Sequence, residues 1–389
     1  MNNVLPKFKR PLKDSNDPKT NVSYWDKALD AFDEKNYNES LTHTLNYMNS
    51  TLLEGVDTNG AFSIERGQGS ALIHLEVTDN IFKIKAPFLK ITEGTNKIAL
   101  LRKVGEVNFS PLTLAQIHLK DDTLWFGYEM PLSLCQPFKV YDVLRDVCVY
   151  ADDYDDEFVE KYKASFYQDS KTIPLTAENQ EKAWQQIEDI LKDYENYSAF
   201  FKEKRWDNFQ WDIILISILK LSNMPYVHGT LRTKLQEYVN NMLNGDIDFQ
   251  FRIDKGTNFM KKLCAMSKEE ILKNIYNADA LVSLKYRSST EIVQDNMKNR
   301  ENIVTNYVKD NDHFALCYYL QFSFLHLVYS YNLEEDQLNA IYDVLEKVSG
   351  LEPDVASPKL LDTYNGLLNG TATPVRKKAK KGLFSKLFS

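Results

Sequence analysis

The residues best able to do chemistry fall into two charged clusters. The first is the run Asp152-Asp153-Tyr154-Asp155-Asp156-Glu157. Carboxylate oxygens at such short spacing are the donors that Ca²⁺ and Mg²⁺ take. The run lacks the glycine and the twelve-residue ligand spacing of a calcium-binding loop, and it lies within a long helical stretch. The expectation is a solvated acidic helix face, or a surface on which Asp152, Asp153, Asp155, Asp156 and Glu157 dock a basic partner, with no metal.

The second cluster is the end of the given sequence. Arg376, Lys377, Lys378, Lys380 and Lys381 form a basic run, and Gly382-Leu383-Phe384-Ser385-Lys386-Leu387-Phe388-Ser389 follows. On a helix Leu383, Phe384, Leu387 and Phe388 share one face. A segment this short is not a stable helix alone and would fold on contact. Its basic residues attract anionic lipid at about 1 kcal/mol per charge near the surface, and the two Leu and two Phe would insert. A groove on a partner protein, or the acidic body of the same chain, would also receive the apolar face.

Other reactive residue types form no constellation. The histidines His43, His74, His118, His228, His313 and His326 include no helical i, i+4 pair and no HExxH. Gly67-Gln68-Gly69-Ser70 lacks the GK[ST] ending of a phosphate loop and separates two alternating segments, so it reads as a hairpin turn. Cys135, Cys148, Cys264 and Cys317 contain no CxxC and read as buried thiols in a reducing cytoplasm. In Tyr286-Arg287-Ser288-Ser289-Thr290, Ser289 or Thr290 reads as a helix N-cap and Arg287 as the partner of an acid. No nucleophile-elbow or kinase signature occurs. No cofactor is expected.

The elements that position these residues follow from periodicity. Residues 1 to 21 show none and read as a mobile N-terminal arm or a loosely packed strand. From Ser23, helical spacing of Tyr24, Trp25, Ala28, Leu29 and Phe32, resumed over Ser40 to Met48, predicts two helices. The period then drops to two: Phe62–Glu65, Ala71–Val77 and Ile81–Ile91 predict three hairpin-linked antiparallel strands, with Pro87 at an edge or bulge. A helix through Ile98, Leu101, Val104 and Val107 comes next, then strands at 114–119 and 123–130, then a long helix after Pro137. Helix, three strands, helix, two strands, helix is an α+β order. The order, together with Ile84-Lys85-Ala86-Pro87-Phe88-Leu89, Ala99-Leu100-Leu101-Arg102, Asn108-Phe109 and the strand pair 116–129, resembles the type III secretion chaperone-like fold, including YbjN-type bacterial proteins. The resemblance spans about 22–168 and implies protein binding, often as dimers, without catalysis.

Beyond Gln168 the strand signal ends, and helical patterns near 176–204, 207–223, 229–244, 258–277, 290–310, 312–331 and 334–348 predict an all-α bundle over 175–349. Asp246–Arg252 alternates briefly. Residues 313–333 carry no Asp, Glu, Lys or Arg, yet their Gln, Ser, Tyr and His content predicts a buried core helix over a membrane span. The Gly- and Pro-containing stretch 350–374 reads as a linker before the basic tail.

Net charge is −8, and the part without the tail is more acidic still, which argues against nucleic acid. The expected function is a non-enzymatic bacterial adaptor or chaperone-like protein. It would be cytoplasmic, peripheral at the inner membrane face, and tethered by its tail. A protein partner or a second copy would bind it. The alternatives are an enzyme with a site in the helical region, assembled from residues distant in sequence, and a structural subunit of a larger assembly.

Overall fold

The computed structural model describes residues 4–12, 17–18, 20–168 and 172–371. Its α+β part opens with α1 (Ser23–Asp33) and α2 (Tyr37–Met48), followed by β1 (Phe62–Gln68), β2 (Ala71–Thr78) and β3 (Ile81–Lys90). Then come α3 (Lys97–Phe109), β4 (Gln116–Lys120), β5 (Thr123–Pro131) and the long α4 (Pro137–Tyr162). The sheet is antiparallel in the order β1-β2-β3-β5-β4. Along β3 the residues Phe82, Ile84, Ala86 and Phe88 are buried while Lys83 and Lys85 point the other way, so one sheet face is core and the other meets water. Helix α4 packs on the core face. Pro87 lies in the central strand, where the register with β5 shifts between Pro87 and Leu89. A bulge is the device that lets a central strand carry a proline.

The rest is mostly helical: α5 (Ala177–Lys204), α6 (Asp207–Ser222), α7 (Gly229–Leu243), α8 (Phe249–Cys264), α9 (Lys268–Leu272), α10 (Thr290–Lys298), α11 (Glu301–Lys309), α12 (His313–Ser330), α13 (Glu335–Val348) and α14 (Pro353–Leu368), with two short strand pairs, Ile173–Pro174 on Tyr276–Asn277 and Tyr286–Arg287 on Tyr331–Asn332. The apolar helix expected at 313–333 is α12. Leu320, Phe324 and Leu325 on it are fully buried, and Ser323 returns its hydroxyl to the Tyr319 carbonyl at 2.7 Å. Among the described residues no helix is long and apolar enough to cross a membrane.

Two expectations are corrected. Residues 4–12 are not a mobile arm. They run extended across the helical part, with Leu5 at 1% exposure and Phe8 stacked on Tyr342. Side chains of the helices hold this backbone: Asp193 accepts from the Lys7 amide at 2.6 Å, buried Lys220 donates to the Lys7 carbonyl at 2.7 Å, and Gln186 donates to the Arg10 carbonyl at 2.8 Å. Such a segment has no periodicity because its partners belong to other elements. Residues 350–374 are not a linker over their first part, since α14 buries Ala356, Leu360, Tyr364 and Leu367 against the bundle. Pro353 sits at the start of the helix, where its missing N–H is no loss. The briefly alternating Asp246–Arg252 stretch, too short to stand as a lone strand, leads into α8, which Asp248 caps by accepting from the Phe251 amide at 3.0 Å.

Candidate functional site

The acidic run on α4 lies on the inside of the molecule. Asp152 and Asp155 are 5% and 2% exposed. They extend the apolar stripe of the helix: Leu144, Val147, Cys148, Ala151, Asp152, Asp155 and Phe158 are buried at helical spacing. Opposite stands Arg232 of α7. Its guanidinium meets Asp152 at 2.5 Å and Asp153 at 2.8 Å. The β1–β2 turn closes the third side. The Ser70 amide donates to Asp152 at 2.7 Å and the Ser70 hydroxyl to Asp155 at 2.5 Å. Gly69 has φ +58 and its α-carbon faces the Asp152 carboxylate so closely that any side chain would collide with it. Glu157 points away and pairs with Lys161 at 2.8 Å.

The solvated acidic face is thus corrected. The basic group that these carboxylates dock is Arg232 of the same chain, joining the α+β part to the helical part. Burial works against the charge of Arg232, but Asp152 and Asp153 outweigh it and raise its pKa. Burial raises the Asp153 carboxyl in spite of Arg232. Burial, with Asp152 beside it, pushes Asp155 well above the carboxylate range and Asp156 up to about 6.

The segment after α9 strengthens the seam. The Gly69 amide donates to the Asp279 carbonyl at 2.8 Å, and the Gln68 side chain accepts from the Leu281 and Val282 amides at 2.9 and 3.0 Å. Leu281 and Val282 belong to the hydrophobic core of the sheet. The helical part therefore lends residues to the core of the other part. Arg287, expected to pair with an acid, instead donates to the Tyr47 hydroxyl at 3.3 Å. Ser289 caps α10, accepting from the Ile292 amide.

Beside the seam opens a cavity of about 380 Å³, walled by α4, α7, the 278–286 segment and the end of α12. Arg145, Lys285, Arg232, His228, His326 and Tyr286 line it. The 300–1,000 Å³ range is typical of small-molecule sites, and such sites favour junctions between structural units. Arg145 donates to the Leu284 carbonyl at 3.1 Å and lies over the Tyr286 ring at 5.4 Å. Burial, with Arg300 nearby, pushes His326 down to about 4. Residue spacing in the sequence points to none of these as a group, because they come from separate elements.

The other histidines are engaged individually. His74 pairs with Glu65 at 3.3 Å, His118 stacks on Trp125 and His313 bonds Ser357 at 2.8 Å. Among the described residues no group of three or more His, Cys, Asp or Glu could hold a metal ion. The tail residues Arg376, Lys377, Lys378, Lys380, Lys381, Leu383, Phe384, Lys386, Leu387 and Phe388 lie outside the described residues. Comparison with protein-family models, curated proteins and solved structures finds no match.

The raised Asp156 carboxyl makes a pH prediction. A carboxyl whose folded pKa is about 6 takes up its proton before the unfolded chain does, so falling pH stabilises the fold through this group down to the ordinary value of 3.8. Asp156→Asn removes that contribution. The unfolding midpoint of the wild type should therefore gain on that of D156N between pH 7.5 and pH 5. Parallel curves in thermal denaturation would show that Asp156 does not titrate this way.

Proposed function

We propose that the protein is a non-catalytic, protein-binding adaptor of secretion-chaperone type that assembles through the outer face of α3. The observation that carries this reading is exposure: Ile98 is 70% and Phe109 90% exposed. They stand eleven residues apart, three turns and about 16 Å along one helix face. Arg102 and Gly105 lie between them on that face, and a side chain added at Gly105 would meet nothing within 4 Å. Large apolar side chains so far out of contact mark a surface that another polypeptide covers.

The face is complementary to itself. Set antiparallel about the middle of α3, Ile98 of one copy meets Phe109 of the other, and Arg102 lies over Gly105. A surface that satisfies itself under a two-fold rotation fits a second copy of the chain. Assembly through the neighbouring sheet edge is disfavoured. Asn108 donates to the Ile117 carbonyl at 2.9 Å and accepts from the Ile117 amide at 2.7 Å, occupying the free edge of β4. In solution the wild type should be a dimer by light scattering, and Phe109→Asp should be a monomer with unchanged circular dichroism. A monomeric wild type, or a dimer that survives F109D, contradicts the reading.

The basic, apolar-tipped segment 375–389 supplies the tether in this reading, through anionic lipid. Its six positive charges and four large apolar residues support that role. Removing residues 375–389 should abolish cosedimentation with phosphatidylserine vesicles and leave the unfolding midpoint in place. Unchanged cosedimentation would rule out a membrane tether in this segment.

A further inference from the structure

We propose that the junction cavity is a binding site for a small organic anion, a carboxylate or a phosphate monoester, held between Arg145 and Lys285. This goes beyond the adaptor reading and rests on different residues. Three observations support it.

The first is the balance of charge on the wall. Of the three cations that line the cavity, Arg232 is taken up by Asp152 and Asp153. Arg145 and Lys285 make no ion pair among the described residues. Asp17 and Asp279 also line the cavity. Burial lowers the Lys285 pKa and the field of Asp17 opposes that, while Asp279 is exposed to solvent. Neither forms a salt bridge with Arg145 or Lys285.

The second observation is unused hydrogen-bonding capacity. Nε of Arg145, Nε of Arg232, Oδ1 of Asn223 and Nδ1 of His326 are buried with no hydrogen-bond partner, and all four side chains line this cavity. Buried hydrogen bonds left unmade are costly, so four in the side chains around one void mark a wall that gains by turning toward something polar. The Nε edge of a guanidinium is one of the two sides that grip a carboxylate or phosphate with paired N–H groups.

The third is shape. About 380 Å³ suits a small molecule and is too small for a polypeptide segment of any length. The Tyr286 ring, already under the Arg145 guanidinium, gives the site an aromatic wall. The same 278–286 stretch places Leu281 and Val282 in the sheet core, so the ligand would rest on a backbone fixed from its other side.

The test is thermal unfolding of the full chain titrated with inorganic phosphate and, separately, with succinate, each against sodium chloride at equal ionic strength. The wild type should show a saturable rise in midpoint with at least one of the two. Which anion acts distinguishes phosphate from carboxylate. Arg145→Gln and Lys285→Gln should each weaken the response about tenfold or more, the loss expected for one charge-assisted hydrogen bond. Lys9→Gln, a change outside the cavity, should leave it intact. If R145Q does not fold, K285Q alone decides. Absence of any rise above chloride in the wild type, or equal rises in wild type and variants, overturns the proposal.

Discussion

A guanidinium taken out of water must bring its counter-charges with it, and the arrangement of this chain turns on that requirement at Arg232. The pair it makes with Asp152 and Asp153 joins α7 to α4, so it decides how the helical part sits on the sheet. Buried ion pairs add little net stability compared with apolar packing, but removing one member leaves a charge stranded, at about 3–5 kcal/mol. That asymmetry selects one docking geometry over others. Ser70 and Gly69 are fitted to it: the first satisfies the remaining carboxylate oxygens and the second has no side chain to block them.

The junction then serves two ends. On one side it makes the two parts share a core, through Leu281 and Val282. On the other it leaves a cavity whose wall carries cations without ionic partners among the described residues. The extended N-terminal segment adds a further tie. Its residues 4–12 lie on the helices, and soon after it the Asn21 amide donates to the Tyr47 carbonyl at 3.0 Å in the α+β part. The α3 face proposed for assembly lies apart from this seam, which would leave assembly and ligand binding to different residues.

Much of the fold is legible in the sequence because it is periodic. The alternation along β1, β2 and β3 reports a buried face directly, and the nearly unbroken apolar run of α6 reports a helix buried on every side from Ile213 to Leu221. The acidic run departs from expectation for a reason that can be stated. Asp152 and Asp155 follow Leu144, Val147, Cys148 and Ala151 at the same helical spacing, so the stripe itself places them inside. Charge suggests solvent; position indicates core. The partner, Arg232, has no such signal, since nothing local in α7 distinguishes it from a surface arginine. Helix α14 is hidden by its prolines and glycines, although Leu360, Tyr364 and Leu367 keep a helical period. The N-terminal segment and the 278–286 stretch are not readable at all. Their conformations are set by hydrogen bonds from distant side chains, which leave no pattern in the segment that receives them.

If the Arg232 pair makes the two parts one cooperative unit, their unfolding must be coupled through it. Native-state hydrogen exchange across a urea series, on the wild type and on Arg232→Ala, tests this most directly. Amides of β3 and α6 should open together in the wild type at one urea concentration. In R232A they should open separately and earlier. Separate opening in the wild type, or an R232A protein that opens like it, would contradict the coupling.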